Sequence, residues 1–205
     1  HTANRRQRQM CIRDRLCHWH LTLGDSGDGG MLEILENQHA EANHQFARFV
    51  EDHYEHWMTG MEQGPVMSHQ VLPTWLPDAV PGSEGRPLFL VVIDNLRWDQ
   101  WRAIAPVLSD DWNITEEKTY LSLLPTATQY ARNALFAGMT PAEIARVMPD
   151  CWVDESAEGS KNAHEAKLQQ ALFHRMGVEG KTAYHKITSL EAGKRLADRF
   201  HEQKG

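Results

Sequence analysis

Leu88-Phe89-Leu90-Val91-Val92-Ile93-Asp94-Asn95 is the stretch on which the fold turns. Apolar residues follow one another without alternation, and Phe89, Val91, Val92 and Ile93 are aromatic or β-branched. That is the pattern of a strand buried on both faces, as at the centre of a parallel sheet. The run stops on a carboxylate, Asp94. In open α/β sheets, ligands bind at the carboxyl ends of strands, so Asp94 stands by its context at such an edge. It fits equally well as a residue that caps the following loop or helix through backbone N–H groups.

Downstream, helical and extended patterns alternate. The stretch 98–108 (WDQWRAIAPVL) predicts a helix, and 112–116 and 119–124 predict two short strands. Trp98 and Trp101, three apart on that helix, suit packing better than a stacking platform. Pro125-Thr126-Ala127-Thr128 leads into a helix packed through Ala131, Ala134, Leu135 and Ala137 and stopped by Gly138. Thr140-Pro141-Ala142-Glu143 opens the next one, with Thr as N-cap, Pro at the first helical position and Glu at the third. Residues 162–176 read as a helix closed by Gly177, 182–187 as a strand and 189–203 as a last amphipathic helix. This alternation predicts an α/β class with parallel strands flanked by helices.

Upstream, the period is helical from Met31. Leu32, Leu35, Ala42, Phe46, Phe49, Val50 and Trp57 recur near 3.6 residues, and Gly60 and Gly64-Pro65 end the run. Four prolines and three glycines make 61–85 a linker with room for one short element. Residues 1–30 are expected to be disordered or non-native. Gln, Arg and Asn crowd the first nine positions, GDSGDGG at 24–30 cannot pack a core, and Met10–Arg15 looks like translated adapter sequence. Cys17-His18-Trp19-His20 lacks a second ligand pair at a metal-binding spacing. The expected organisation is therefore 1–30, a helical-bundle segment at 31–60, a linker at 61–85 and an α/β domain from 86 to 205.

The chain of 205 residues carries 21 basic and 28 acidic side chains, a formal charge of −7. Non-specific nucleic-acid binders normally present a basic face, so that class is disfavoured. No apolar run approaches the ~20 residues of a membrane span. Three cysteines, odd in number and widely spread, fit a reducing, cytoplasmic setting better than a disulfide framework.

Few residues offer chemistry. A Thr at a helix start, Thr126 or Thr128, has its hydroxyl near free N–H groups and the positive end of the helix dipole. That setting suits a phosphate or a developing alkoxide. From these residues alone an ordinary N-cap is the commoner reading. Arg97 and Arg132 are placed to clamp a phosphate oxygen, although arginines more often make surface or partner salt bridges. The twelve histidines sit mostly at polar helix positions such as His39, His44, His53 and His56, without metal-motif spacing.

Two motifs resemble a known family. Val91-Val92-Ile93-Asp94-Asn95-Leu96-Arg97-Trp98-Asp99-Gln100-Trp101 and Leu124-Pro125-Thr126-Ala127-Thr128-Gln129-Tyr130-Ala131-Arg132-Asn133-Ala134 look like the start of a PglZ domain, of the alkaline phosphatase superfamily. The helix EILENQHAEANHQFARFVEDHYEHWM and the stretch KNAHEAKLQQAL extend the likeness to PorX-type response regulators, linked to type IX secretion. In these, a receiver domain and a helical bundle precede the PglZ domain.

The resemblance implies the first part of an alkaline-phosphatase-like sheet and a two-metal site, usually zinc, with Asp94 as its first ligand. The superfamily nucleophile opens a helix about ten residues before a closing Gly. Gly138 therefore favours Thr128 over Thr126, with Thr128 also touching metal. Asn95, Arg97 and Arg132 become the candidate substrate-binding residues. The later Asp and His ligands have no match after Lys181, so the chain is expected to be an inactive fragment. The implied activity is a cytoplasmic, metal-dependent phosphodiesterase of nucleotide-like substrates, with phosphomonoesterase or sulfatase-like chemistry close beside it. The implied partners are a sensor kinase, a sigma factor and a second copy of the chain. A non-enzymatic signalling module that binds a partner protein is the rival reading.

Overall fold

The computed structural model describes residue 19 and residues 29–79, 87–153, 156 and 160–199. Contacts divide it into two compact units. One holds the chain up to Pro65 together with Ile93–Lys118, and the other holds Val66–Val92 with the chain from Thr119 onward.

In the first unit, α1 (Gly29–Thr59) is a helix of 31 residues. Gly60, at φ 73°, supplies the left-handed turn that ends it. Leu35, Phe49 and Trp57 of the expected stripe are buried, while Phe46 stays exposed. Phe49, His53 and Trp57 lie four apart and stack along one face, with ring centroids 4.6 Å and 5.6 Å apart in succession. Gly64 closes over Trp57: a Cβ there would lie 2.8 Å from the Trp57 side chain. The second helix of this unit, Trp98–Leu108, starts at Arg97, whose N–H donates to Gln100 Oε1 at 3.0 Å. It buries no residue, and Trp101 Nε1 donates to Glu117 Oε1 at 3.0 Å.

The second unit begins with a 3-10 turn, Ser68–Gln70, running into α2 (Val71–Ala79). The Trp98–Leu108 helix of the first unit is α3. A single parallel bridge joins Met67 to Leu121, Leu121 N–H donating to Val66 C=O at 2.8 Å. Buried Ser68 Oγ accepts from Leu123 N–H at 3.1 Å. The centre of this unit is α4 (Thr128–Ala137), where Asn133, Ala134, Leu135, Phe136 and Ala137 are buried in succession. Five consecutive buried residues cover every face of a helix, so α4 needs neighbours all round. The 3-10 turn, α2, α5 (Pro141–Val147) and α6 (Glu165–Arg175) supply them. Phe136, Ala137, Ile144, Cys151 and Leu168 form the apolar core, flanked by Met139, Met148, Trp152 and Tyr184. Each large apolar side chain so buried contributes about 1.5–3 kcal/mol.

Local chemistry sets the helix ends. Thr140 Oγ1 accepts from Glu143 N–H while Glu143 Oε2 accepts from Thr140 N–H at 2.8 Å. Gly138 closes α4 at φ 58°, Gly177 follows α6 at φ 67°, and Ser189 caps α7 (Leu190–Asp198) through Ala192 N–H. The part of the last helix expected beyond residue 199 lies outside the described residues, as do most of residues 1–30 and all of 80–86.

The helices of the expected α/β arrangement are present, but among the described residues no strand ladder forms. Residues 88–93 and 112–116 are exposed and enter no ladder among the described residues, and 182–187 enters none either, although Tyr184 within it is partly buried. In 119–124 the Leu121 bridge is the whole of the pairing described. A strand is stabilised by the strands beside it, so a segment of perfect strand composition remains single where no neighbour is supplied.

Candidate functional site

Asp94 and Asn95 form a turn directly after the apolar run. Asn95 takes φ 59°, a left-handed conformation that Asn tolerates better than most residues. Arg97, two residues on, is exposed and directed at its neighbour: Nη2 and Nε donate to Asp99 at 2.7 Å and 3.0 Å. This hydrogen bond holds the Asp99 carboxyl down at about 2 and raises the Arg97 guanidinium above its ordinary value. Asp94, Asn95 and Arg97 belong to the first unit, and Thr128 and Arg132 to the second.

Thr128 is the first residue of α4, and Ala127 is its N-cap at φ −61°, ψ 141°. Thr126 is exposed, two residues outside the helix. Ala127 has no side-chain oxygen, so neither threonine serves as the conventional cap. The first-turn N–H groups and the positive helix end therefore face the region that Thr128 borders.

One turn further along, α4 enters a polar cluster. Arg132, its side chain 18% exposed, donates from Nε to Oε1 of Glu165, which is 2% exposed. The other oxygen of Glu165 accepts from Tyr184 Oη at 2.7 Å and lies 3.3 Å from Lys186 Nζ. Burial, followed by the bond to Glu165 and its charge, pushes the Tyr184 phenol well above 10.0. Lys186 Nζ also donates to Asn162 C=O at 3.3 Å. Asn162 Nδ2 donates to Asn133 Oδ1 at 2.9 Å and to Thr128 C=O at 3.3 Å, and Asn133 Nδ2 donates to Lys161 C=O at 3.1 Å. A carboxylate removed from water is tolerable only when paired and hydrogen-bonded, and Glu165 is both.

Sequence reasoning singled out Arg132 but missed Glu165, Asn133, Asn162, Tyr184 and Lys186. A signal for Glu165 existed. Glu165, Leu168, Gln169 and Leu172 fall at i, i+3, i+4 and i+7, so the carboxylate stands on the buried face of α6. A charged residue in an apolar stripe announces a buried partner.

Among the described residues the donors do not make up the two-metal centre that the resemblance implies. Among the described residues, no three His, Cys, Asp or Glu side chains gather where they could share an ion. A catalytic zinc takes three protein ligands. Also among the described residues, no helix is long and apolar enough to cross a membrane.

The chain belongs to the family of the BREX system PglZ alkaline phosphatase-like domain, whose family model matches residues 74–204. Residues 3–58 match the PorX response regulator linker domain, a stretch that takes in nearly all of α1. No curated protein matches the chain. The protein thus joins a response-regulator-like linker segment to a phosphatase-superfamily domain.

Proposed function

We propose that the PglZ domain hydrolyses phosphodiesters of nucleotide-like substrates, with Thr128 as the nucleophile and the linker helix coupling it to a signalling input. The observation that carries this reading is the place of Thr128. It opens α4, ten residues before left-handed Gly138, inside the stretch matched by a phosphatase-superfamily family. An oxygen at a helix N-terminus is favoured as it gains negative charge, and a phosphoryl oxygen bound there is favoured for the same reason. Asp94 and zinc, the parallel sheet, a cytoplasmic location and contacts of Asn95, Arg97 and Arg132 with substrate all belong to this proposal.

The test is hydrolysis of an aryl phosphodiester by the natural gene product that carries residues 74–204, saturated with zinc. Thr128→Ala removes the attacking oxygen, and turnover falls by several orders of magnitude, a loss of roughly 4 kcal/mol or more in transition-state stabilisation. Thr126→Ala leaves turnover and stability near the parent, within about 0.5 kcal/mol, because Thr126 is exposed and outside the helix. A dead Thr126→Ala beside an active Thr128→Ala overturns the assignment. The response-regulator linker match favours one other reading, a module that binds a protein such as a sigma factor or sensor kinase without chemistry. A metal-free parent with no hydrolysis selects it.

A further inference from the structure

We propose that Glu165 is a positioning residue that holds the first turn of α4, and with it Thr128, in place. The proposal rests on the reading of Thr128 as nucleophile, and its structural half stands apart from that reading. Glu165 opens α6, and every group on it comes from elsewhere in the chain. Arg132 reaches it from α4, and Tyr184 and Lys186 reach it from the extended segment before α7. The same Lys186 ammonium donates to the carbonyl of Asn162, and Asn162 donates both to Asn133 and to the carbonyl of Thr128. Two routes therefore run from Glu165 to the start of α4. One passes through Arg132, four residues after Thr128 and so on the same helix face. The other passes through Lys186 and Asn162 to the Thr128 backbone itself.

The need for such a device follows from the cap. Ala127 gives the helix start no side-chain hydrogen bond, and helix starts without one fray. An attacking oxygen misplaced by even 1 Å loses much of its rate, so a reactive residue whose N-cap side chain gives no hydrogen bond gains from support outside the helix. The Asn162–Asn133 pair and the Arg132–Glu165 pair are that support. The Asn162–Asn133 bond is buried, and the other pair sets a half-buried guanidinium on a buried carboxylate; low dielectric there strengthens each bond and makes a missing partner costly.

Amide hydrogen exchange in the full chain tests the hold directly. Glu165→Gln keeps the shape and removes the charge. Exchange in residues 128–133 should accelerate at least tenfold, while Ala134–Ala137, buried in the apolar core, and α5 stay near the parent rate. Replacing both Arg132 and Glu165 with Met leaves no unpaired buried charge on either residue, and it should reproduce the local effect if Glu165→Gln folds poorly. Uniform acceleration across the whole unit, or none, overturns the proposal. In the zinc-saturated natural gene product, Glu165→Gln should lower kcat at least tenfold with KM within twofold. Equal kcat in the two proteins refutes the link to Thr128. A parent without turnover removes the nucleophile assignment, and exchange still decides for or against the hold.

Discussion

At the scale of single residues, burial makes ordinary groups answer to pH. Tyr184 is raised above its usual value by burial and by the hydrogen bond to Glu165. The unfolded phenol ionises near 10, before the folded one, so the stability tied to protonated Tyr184 is complete below pH 10. It is lost as pH climbs above that value. Unfolding midpoints in urea should fall between pH 10 and 11.5 in the parent and fall less in Tyr184→Phe; parallel curves would refute this. Of this cluster the sequence offered Arg132 alone. Arg132 was visible as a cation near a helix start, but Glu165 lies 33 residues further along the chain. Pairings over that distance leave no periodic trace, and only the misplaced charge of Glu165 on an apolar stripe hinted at them.

At the scale of elements, what the sequence made legible was what is local. The N-cap at Thr140, the stops at Gly60, Gly138 and Gly177 and the start of α4 all depend on a few consecutive residues. The strands depend on partners far along the chain, and composition alone cannot provide those. Two substitutions separate the kinds of helix end. Thr140→Ala removes an exposed cap and should cost about 1 kcal/mol in chemical denaturation. Gly138→Ala should cost more. It forces a left-handed residue to carry a Cβ, itself worth about 1–2 kcal/mol, and that Cβ would sit 2.6 Å from Leu172 Cδ1 and 3.1 Å from Pro73 Cγ. Equal losses for the two would show that the packing around Gly138 yields freely.

At the scale of the whole molecule, the segment that most invited a strand is the one left open. Val91 is 77% exposed and Ile93 60%, within a run of six exposed apolar residues. A β-prone apolar segment without charge or proline offers its backbone to any other extended chain. The protein should therefore self-associate as its concentration rises, and Val91→Lys should suppress this without shifting the thermal midpoint by more than a few degrees. Light scattering across a dilution series measures it. Identical scattering by the two proteins would locate the association elsewhere.

The polar cluster also has a meaning in time. Its members come from residues 132–133, 161–165 and 184–186, and a ribosome delivers them in that order at about 5–20 residues per second. When Arg132 and Glu165 have emerged, Tyr184 and Lys186 are still to come, so for one to several seconds the carboxylate has a single cation for company. The second unit is then a nascent chain with α4 and α5 synthesised and its interior charge half answered. Its closure waits on a tyrosine translated 19 residues after the carboxylate and on the lysine that follows it.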